Sequence, residues 1–94
     1  QMEGAAIFGM SIALYGKISA KEGAVEQHNF FDYPMIRMKD APNIFIDIVD
    51  NMHEPPTGVG EPGVPVIAPA ICNAIFNATG KRVRSLPLID EGLV

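Results

Sequence analysis

The chain has 94 residues, eleven acidic against seven basic side chains for a net charge of −4, and a single cysteine. That length holds at most one domain, the acidic balance makes nucleic acid a poor partner, and one cysteine excludes a disulfide framework or an all-cysteine metal cluster within the chain. With 48% apolar and 19% charged residues the composition is not that of a disordered chain, and no apolar run approaches the ~20 residues of a transmembrane helix.

In chain order, the first expected element is a helix over Gln1–Tyr15, with Met2, Ala6, Met10, Ala13 and Leu14 at helical spacing. Ala5, Ile7, Phe8 and Ile12 fill much of the remaining circumference, the pattern of a helix buried on several sides. Gly4 and Gly9 each cost such a helix about 1 kcal/mol relative to Ala, unless another backbone or a ligand packs closely there. Gly16 is a suitable stop. Lys17–Phe31 reads as two short strands around the Lys21-Glu22-Gly23 turn, followed by Asn29-Phe30-Phe31-Asp32-Tyr33-Pro34, in which Pro34 holds Tyr33 extended. Asn43–Asp50 is the clearest strand. Ile44, Ile46 and Ile48 share one face, and Phe45, Asp47 and Val49 share the other. Asn51–Gly63 is a loop with three prolines and three glycines. A second helix is expected over Val64–Thr79, with Pro65 in its first turn and an apolar stripe of Ile67, Ala70, Ile71, Ala74, Ile75 and Ala78. Gly80 is its C-cap, and Lys81, Arg82 and Arg84 complement the negative helix end. Val83–Leu88 is a possible last strand and Asp90–Val94 a frayed tail. The expected fold class is α+β, with two apolar helices packed on a small mixed or antiparallel sheet of three to four strands. Two helices this apolar exceed what so short a chain can cover. The chain is expected to oligomerise or to be one piece of a larger protein, an expectation that its start at Gln1 reinforces.

The loop before the second helix is the richest in chemistry. Gly58 and Gly60 leave backbone N–H groups uncovered close to a helix N-terminus, which favours an anion, but the Lys-Ser/Thr ending of a phosphate-binding P-loop is absent. Glu61, held between Gly60 and Pro62, has two readings. It is a fixed carboxylate suited to general-base work, or an exposed loop acid that interacts favourably with the helix dipole.

Three stretches of the chain are similar to one family. The first is Gly58-Val59-Gly60-Glu61-Pro62-Gly63-Val64-Pro65-Val66-Ile67-Ala68-Pro69-Ala70, continuing through Asn73-Ala74-Ile75-Phe76-Asn77-Ala78-Thr79-Gly80-Lys81-Arg82. The second is Gln1-Met2-Glu3-Gly4, and the third is Asn29–Pro34 between them. Together they resemble the C-terminal segment of the molybdenum hydroxylases, the xanthine dehydrogenase and aldehyde oxidase group. The match is nearest to the large (beta) subunit of isoquinoline 1-oxidoreductase-like enzymes. The resemblance implies that residues 1–94 are the C-terminal part of a larger molybdopterin-binding domain. It implies a molybdenum-pterin cofactor in the full-length protein, and oxidation of an aldehyde or N-heterocycle with water as the oxygen source. It assigns Glu61 as the base toward the metal-bound hydroxide, Gln1 as a hydrogen-bonding partner of the cofactor, and Gly58, Val59 and Gly60 as loop backbone approaching the metal centre. No residue of this chain is implied as a metal ligand. The remainder of the molybdenum-binding subunit and an iron–sulfur subunit or domain are the implied partners.

Other candidates carry less. His28 and His53 lack companions at metal-ligand spacing, Cys72 reads as a buried small hydrophobe, and Asn73 and Asn77 as bonds to a neighbouring segment. Two alternatives remain open for the chain: a non-catalytic oligomerisation or interaction module, and a small anion-binding domain using the Gly58–Gly63 loop.

Overall fold

A computed structural model describes every residue from Gln1 to Val94. Helix α1 spans Met2–Tyr15 and ends where the Gly16 N–H donates to the Ile12 carbonyl at 2.9 Å. Its packing face follows from residue size. Gln1, Ala5, Gly9 and Ala13 are four apart and so lie one above another. Ala5, Gly9 and Ala13 are all buried. Helix α2 spans Ile67–Thr79 and packs across this face. A Cβ on Gly9 would sit 2.5 Å from the Val64 carbonyl oxygen and 2.9 Å from Ile67 Cβ, so only glycine admits this approach. The expectation of a close backbone neighbour holds at Gly9 and fails at Gly4, which faces open space.

Helix α2 starts later than the expected Val64. The Val64 N–H donates to Glu61 O at 3.0 Å and the Ile67 N–H to Val64 O at 3.3 Å, which makes two successive tight turns. Pro65 sits between them and supplies no N–H, so regular i→i−4 bonding is delayed past it. At the other end Gly80 adopts φ +75° and its N–H donates to Phe76 O at 2.8 Å, the expected C-cap. Beyond it Arg82 stacks 3.6 Å over the Phe76 ring and donates to Asn73 Oδ1 at 2.9 Å, so Asn73 does bond a neighbouring segment.

The expected hairpin forms as strands β1 (Ala20–Lys21) and β2 (Ala24–Val25), pairing Ala20 with Val25 and Lys21 with Ala24. Glu22 and Gly23 both take positive φ, the turn that matches strand twist. The Gln27 side chain staples the base of the hairpin, accepting from Ser19 N and donating to Ser19 Oγ, each at 2.9 Å.

The α+β class is as expected, but the sheet has two strands rather than three or four, and the helices pack on each other rather than on it. Asn43–Asp50 forms no strand because nothing in the chain lies beside it to pair with. Val83–Leu88 is irregular, since Pro87 offers no donor and the hairpin lies elsewhere. Of the expected frayed tail, Asp90 and Glu91 belong to a 3₁₀ helix, Leu88–Glu91, docked on α1, and only Gly92–Val94 lie beyond it. Its anchor is Leu88, 1% exposed, and Lys17 Nζ reaches Asp90 Oδ2 at 2.6 Å alongside.

Candidate functional site

The stripe that packs α1 on α2 also brings the expected site residues together. A Cβ on Gly63 would lie 3.0 Å from Ala5 Cβ, one turn along α1 from Gly9. One turn further toward the N-terminus, the Gln1 side chain lies against Gly60, with its Nε2 3.1 Å from where a Cβ on Gly60 would stand. The loop thus runs alongside α1 in the same direction, Gly60 by Gln1, Gly63 by Ala5, Val64 and Ile67 by Gly9. Small residues on both partners set the closeness of the approach. Gly9 stood out in the sequence as a helix-interior glycine. Gly63 and Ala5 did not, although their spacing to Gly60 and Gln1 carried the signal.

Gly58, Gly60, Glu61, Pro62 and Pro65 line a wide, open concavity of about 670 Å³. Glu61 is exposed, and its carboxylate makes neither a side-chain hydrogen bond nor an ion pair. It stands outside the first turn of α2, which contains no acidic residue, and caps none of its N–H groups. The dipole interaction expected of an acid in that turn is therefore reduced to a longer-range effect. Val59 lies between Gly58 and Gly60 but lines a different hollow, of about 990 Å³, under the loop from Ile48 to Val59. No helix side chain caps either N-terminus.

The remaining candidates fall elsewhere. His28 stands beside Asp32, Nδ1 to Oδ2 at 3.2 Å, and His53 is exposed. Asp32 accepts from the backbone N–H groups of Asn29 (2.9 Å) and His28 (2.9 and 3.0 Å). Donation by Asn29 does most to hold its carboxyl below the ordinary 3.8; slight desolvation opposes this, and the His28 N–H and imidazole add to it. Cys72 is a half-buried free thiol rather than a buried one, and it lines a hollow with Val83 and Leu86. No group of three His, Cys, Asp or Glu side chains is placed to hold a metal ion.

These residues offer no ligand cage, so a metal group held here would have to bring its own ligands. Glu61, which carries the one unpartnered carboxylate, and the glycines Gly58 and Gly60 line the open hollow, with the Gln1 amide against Gly60. Over nearly its whole length the chain is homologous to a short segment of the molybdenum-binding subunits of isoquinoline 1-oxidoreductase and of aldehyde and xanthine dehydrogenases. Among the relatives, isoquinoline 1-oxidoreductase subunit beta of Brevundimonas diminuta is 42% identical over 88 residues, 94% of this chain and 11% of that protein. The membrane-bound aldehyde dehydrogenase [pyrroloquinoline-quinone] of Gluconacetobacter polyoxogenes is 41% identical over 88 residues, again 94% and 11%. The aldehyde oxidoreductase molybdenum-binding subunit PaoC of Escherichia coli K12 is 36% identical over 101 residues, all of this chain and 14% of that protein. The chain thus spans about a tenth of the length of these curated relatives. No family model matches it, and no solved structure does. None of its helices is long and apolar enough to cross a membrane.

Proposed function

We propose that this chain is the part of a molybdenum-dependent oxidoreductase subunit that presents a base to the cofactor, and that the whole enzyme oxidises an aldehyde or N-heterocycle with water as the oxygen source. The observation that carries the reading is that Gly60, with the Gln1 amide lying against it, lines one open hollow together with the unpartnered Glu61. The relatives' names, an isoquinoline oxidoreductase and a molybdenum-binding aldehyde oxidoreductase subunit, support the substrate class and the metal. The bound molybdenum-pterin group supplies an acidified water and a sink for the substrate's electrons.

In this reading the chain's own residues have separate tasks. The Gln1 side chain donates a hydrogen bond to the cofactor. Gly58 and Gly60 allow the loop backbone to come near it, because no Cβ stands in the way, and Val59 contributes its backbone between them. Glu61 takes the proton from the attacking water. Its carboxylate makes no side-chain hydrogen bond or ion pair, so its oxygens are free to accept. The remaining shell of the cofactor comes from the rest of the subunit, and iron–sulfur clusters on another subunit or domain carry the electrons away.

In the intact subunit, Glu61→Gln keeps the shape and deletes the base. Turnover is expected to fall by about 10²–10⁴-fold with molybdenum content unchanged. Near-wild-type turnover at full metal content would remove Glu61 from the chemistry. Assaying quinone alongside molybdenum in the same preparation tests the metal itself, since one relative is named for pyrroloquinoline quinone.

A further inference from the structure

Between the Ala41 N–H, which donates to Met38 O, and the Asn51 carbonyl, which accepts from Glu54 N, no backbone hydrogen bond is made by any residue from Pro42 to Asp50. The segment is rooted at one end, where Pro42 and Ile44 close an apolar hollow of about 270 Å³ against Met10 and Ile71. Beyond Ile44 most of its apolar side chains are exposed, Ile46 the least at 39%. Phe45 is 92%, Ile48 83% and Val49 87% exposed. Isolated surface hydrophobes need no explanation, but a run of them on a backbone with every donor and acceptor free is costly in water and prone to pairing.

The side-chain pattern tells what kind of neighbour would satisfy it. Ile44, Ile46 and Ile48 alternate with Phe45, Asp47 and Val49, so both faces of the extended segment are predominantly apolar. A strand with one solvated face alternates apolar and polar; one that is apolar on both faces lies inside a sheet covered on both sides. This chain cannot provide that setting. Its only sheet is a hairpin of two-residue strands, which stands apart from both helices. A second copy of the chain could lend one more strand, but a two-stranded ribbon is marginal in water and leaves one edge of each strand and most of both faces uncovered. Direct self-pairing centred on Asp47 would also oppose two carboxylates.

The accessible area points the same way. The chain exposes 7424 Å², where a compact folded protein of 10.1 kDa exposes about 5,300 Å². The excess, about 2,100 Å² on this chain alone, is more than the roughly 800 Å² that one partner gives to a standard interface.

We propose that Asn43–Asp50 is an added β-strand, which pairs with a sheet contributed by the rest of the molybdenum-binding subunit and is covered there on both faces. The inference rests on the reading that this chain works inside such a subunit. The strand supplies about 26 Å of extended backbone, enough for a full ladder with a neighbour of ordinary length. Main-chain bonds provide affinity, and Phe45 and the three isoleucines provide the register, since a one-residue slip would exchange the two faces.

Amide hydrogen exchange read by mass spectrometry tests this without reference to turnover. In the intact subunit, amides of residues 44–50 are expected to exchange at least about 10²-fold more slowly than in the isolated 94-residue chain. The Glu61→Gln subunit is expected to show the same protection, so loss of the base's role and loss of strand pairing are read separately. Ile46→Pro removes one donor from the segment and should lose the protection locally. If that variant does not fold, the wild-type comparison alone decides. Equal, fast exchange in the intact subunit and the isolated chain would overturn the proposal. So would protection in the isolated chain that rises with its concentration to the intact-subunit level, which would assign the strand to a second copy.

Discussion

Gly9 and Gly4 occupy the same helix and have opposite structural meaning. At Gly9 a Cβ would stand 2.5 Å from a backbone oxygen that cannot retreat without moving the loop carrying Glu61. Gly9→Ala is therefore expected to destabilise the chain by about 1–3 kcal/mol, as overpacking does. Gly4 has nothing within 4 Å, so Gly4→Ala should stabilise the helix by about 1 kcal/mol. Thermal melts followed by circular dichroism separate the two, and a shift of the same sign for both would contradict the packing described. Gly60 is a softer case: the atom nearest its absent Cβ is the far end of the Gln1 side chain, which can swing away. Asp32 is the residue whose titration is visibly biased. Its folded carboxyl is held below 3.8, chiefly by the Asn29 N–H, so its contribution to the turn is complete above about pH 4 and is lost as pH falls through that lowered value. The amide shifts of His28 and Asn29 should follow a single titration with its midpoint below 3.8. A midpoint above it would mean that the capping bonds are not made.

At the scale of elements, the two helices meet through small residues, and the C-terminal 3₁₀ helix supplies the largest buried side chain. Leu88, Ala13 and Val83 are all buried, and the 3₁₀ helix that carries Leu88 docks on α1, so Leu88 secures the end of the chain against that helix. Leu88→Ala is expected to cost about 2–5 kcal/mol, the usual loss for a deleted core leucine. Denaturant unfolding of the two proteins measures it; a change below about 1 kcal/mol would show that Leu88 does not anchor the 3₁₀ helix. The Lys17–Asp90 pair beside it is exposed on both partners and contributes little by comparison. Helix α2 keeps its apolar stripe only partly used. Ile67, Ala70, Ile71 and Ala74 border the hollow that Ile44 closes, yet no residue of α2 is fully buried.

The whole molecule is expanded. Its radius of gyration is 16.1 Å, against about 12 Å for a compact domain of this length, and seven of 94 residues are buried. Two consequences follow for the isolated chain. It should self-associate at tens of micromolar, which light scattering would register, because exposed Phe30, Phe31, Phe45 and Val49 are free to find one another. A clean monomer at that concentration would contradict this. It should also retain no molybdenum cofactor after free ligand is removed, since one loop and the Gln1 side chain offer too few contacts to offset the freedom lost on binding. Stoichiometric metal on the purified chain would show that the site is complete within these 94 residues.

The local chemistry of the sequence was enough to define the two helices, the Glu22-Gly23 turn and the Gly80 cap, because each depends on residue type at short spacing. Hydrophobic alternation also identified Asn43–Asp50 as a strand, but alternation specifies only which residues share a face. A strand exists when a second backbone satisfies its donors and acceptors, and this chain holds none in reach. In the same way, Leu88 and Pro87 are buried although nothing local in the sequence distinguishes them from a loose tail; the small-residue flank of α1 gives them somewhere to dock. The closeness of Gln1 to Gly60 was equally a tertiary outcome. It follows from Gly9 admitting Val64 and Ile67 and Gly63 admitting Ala5, distances between segments some sixty residues apart that no periodicity within either segment encodes.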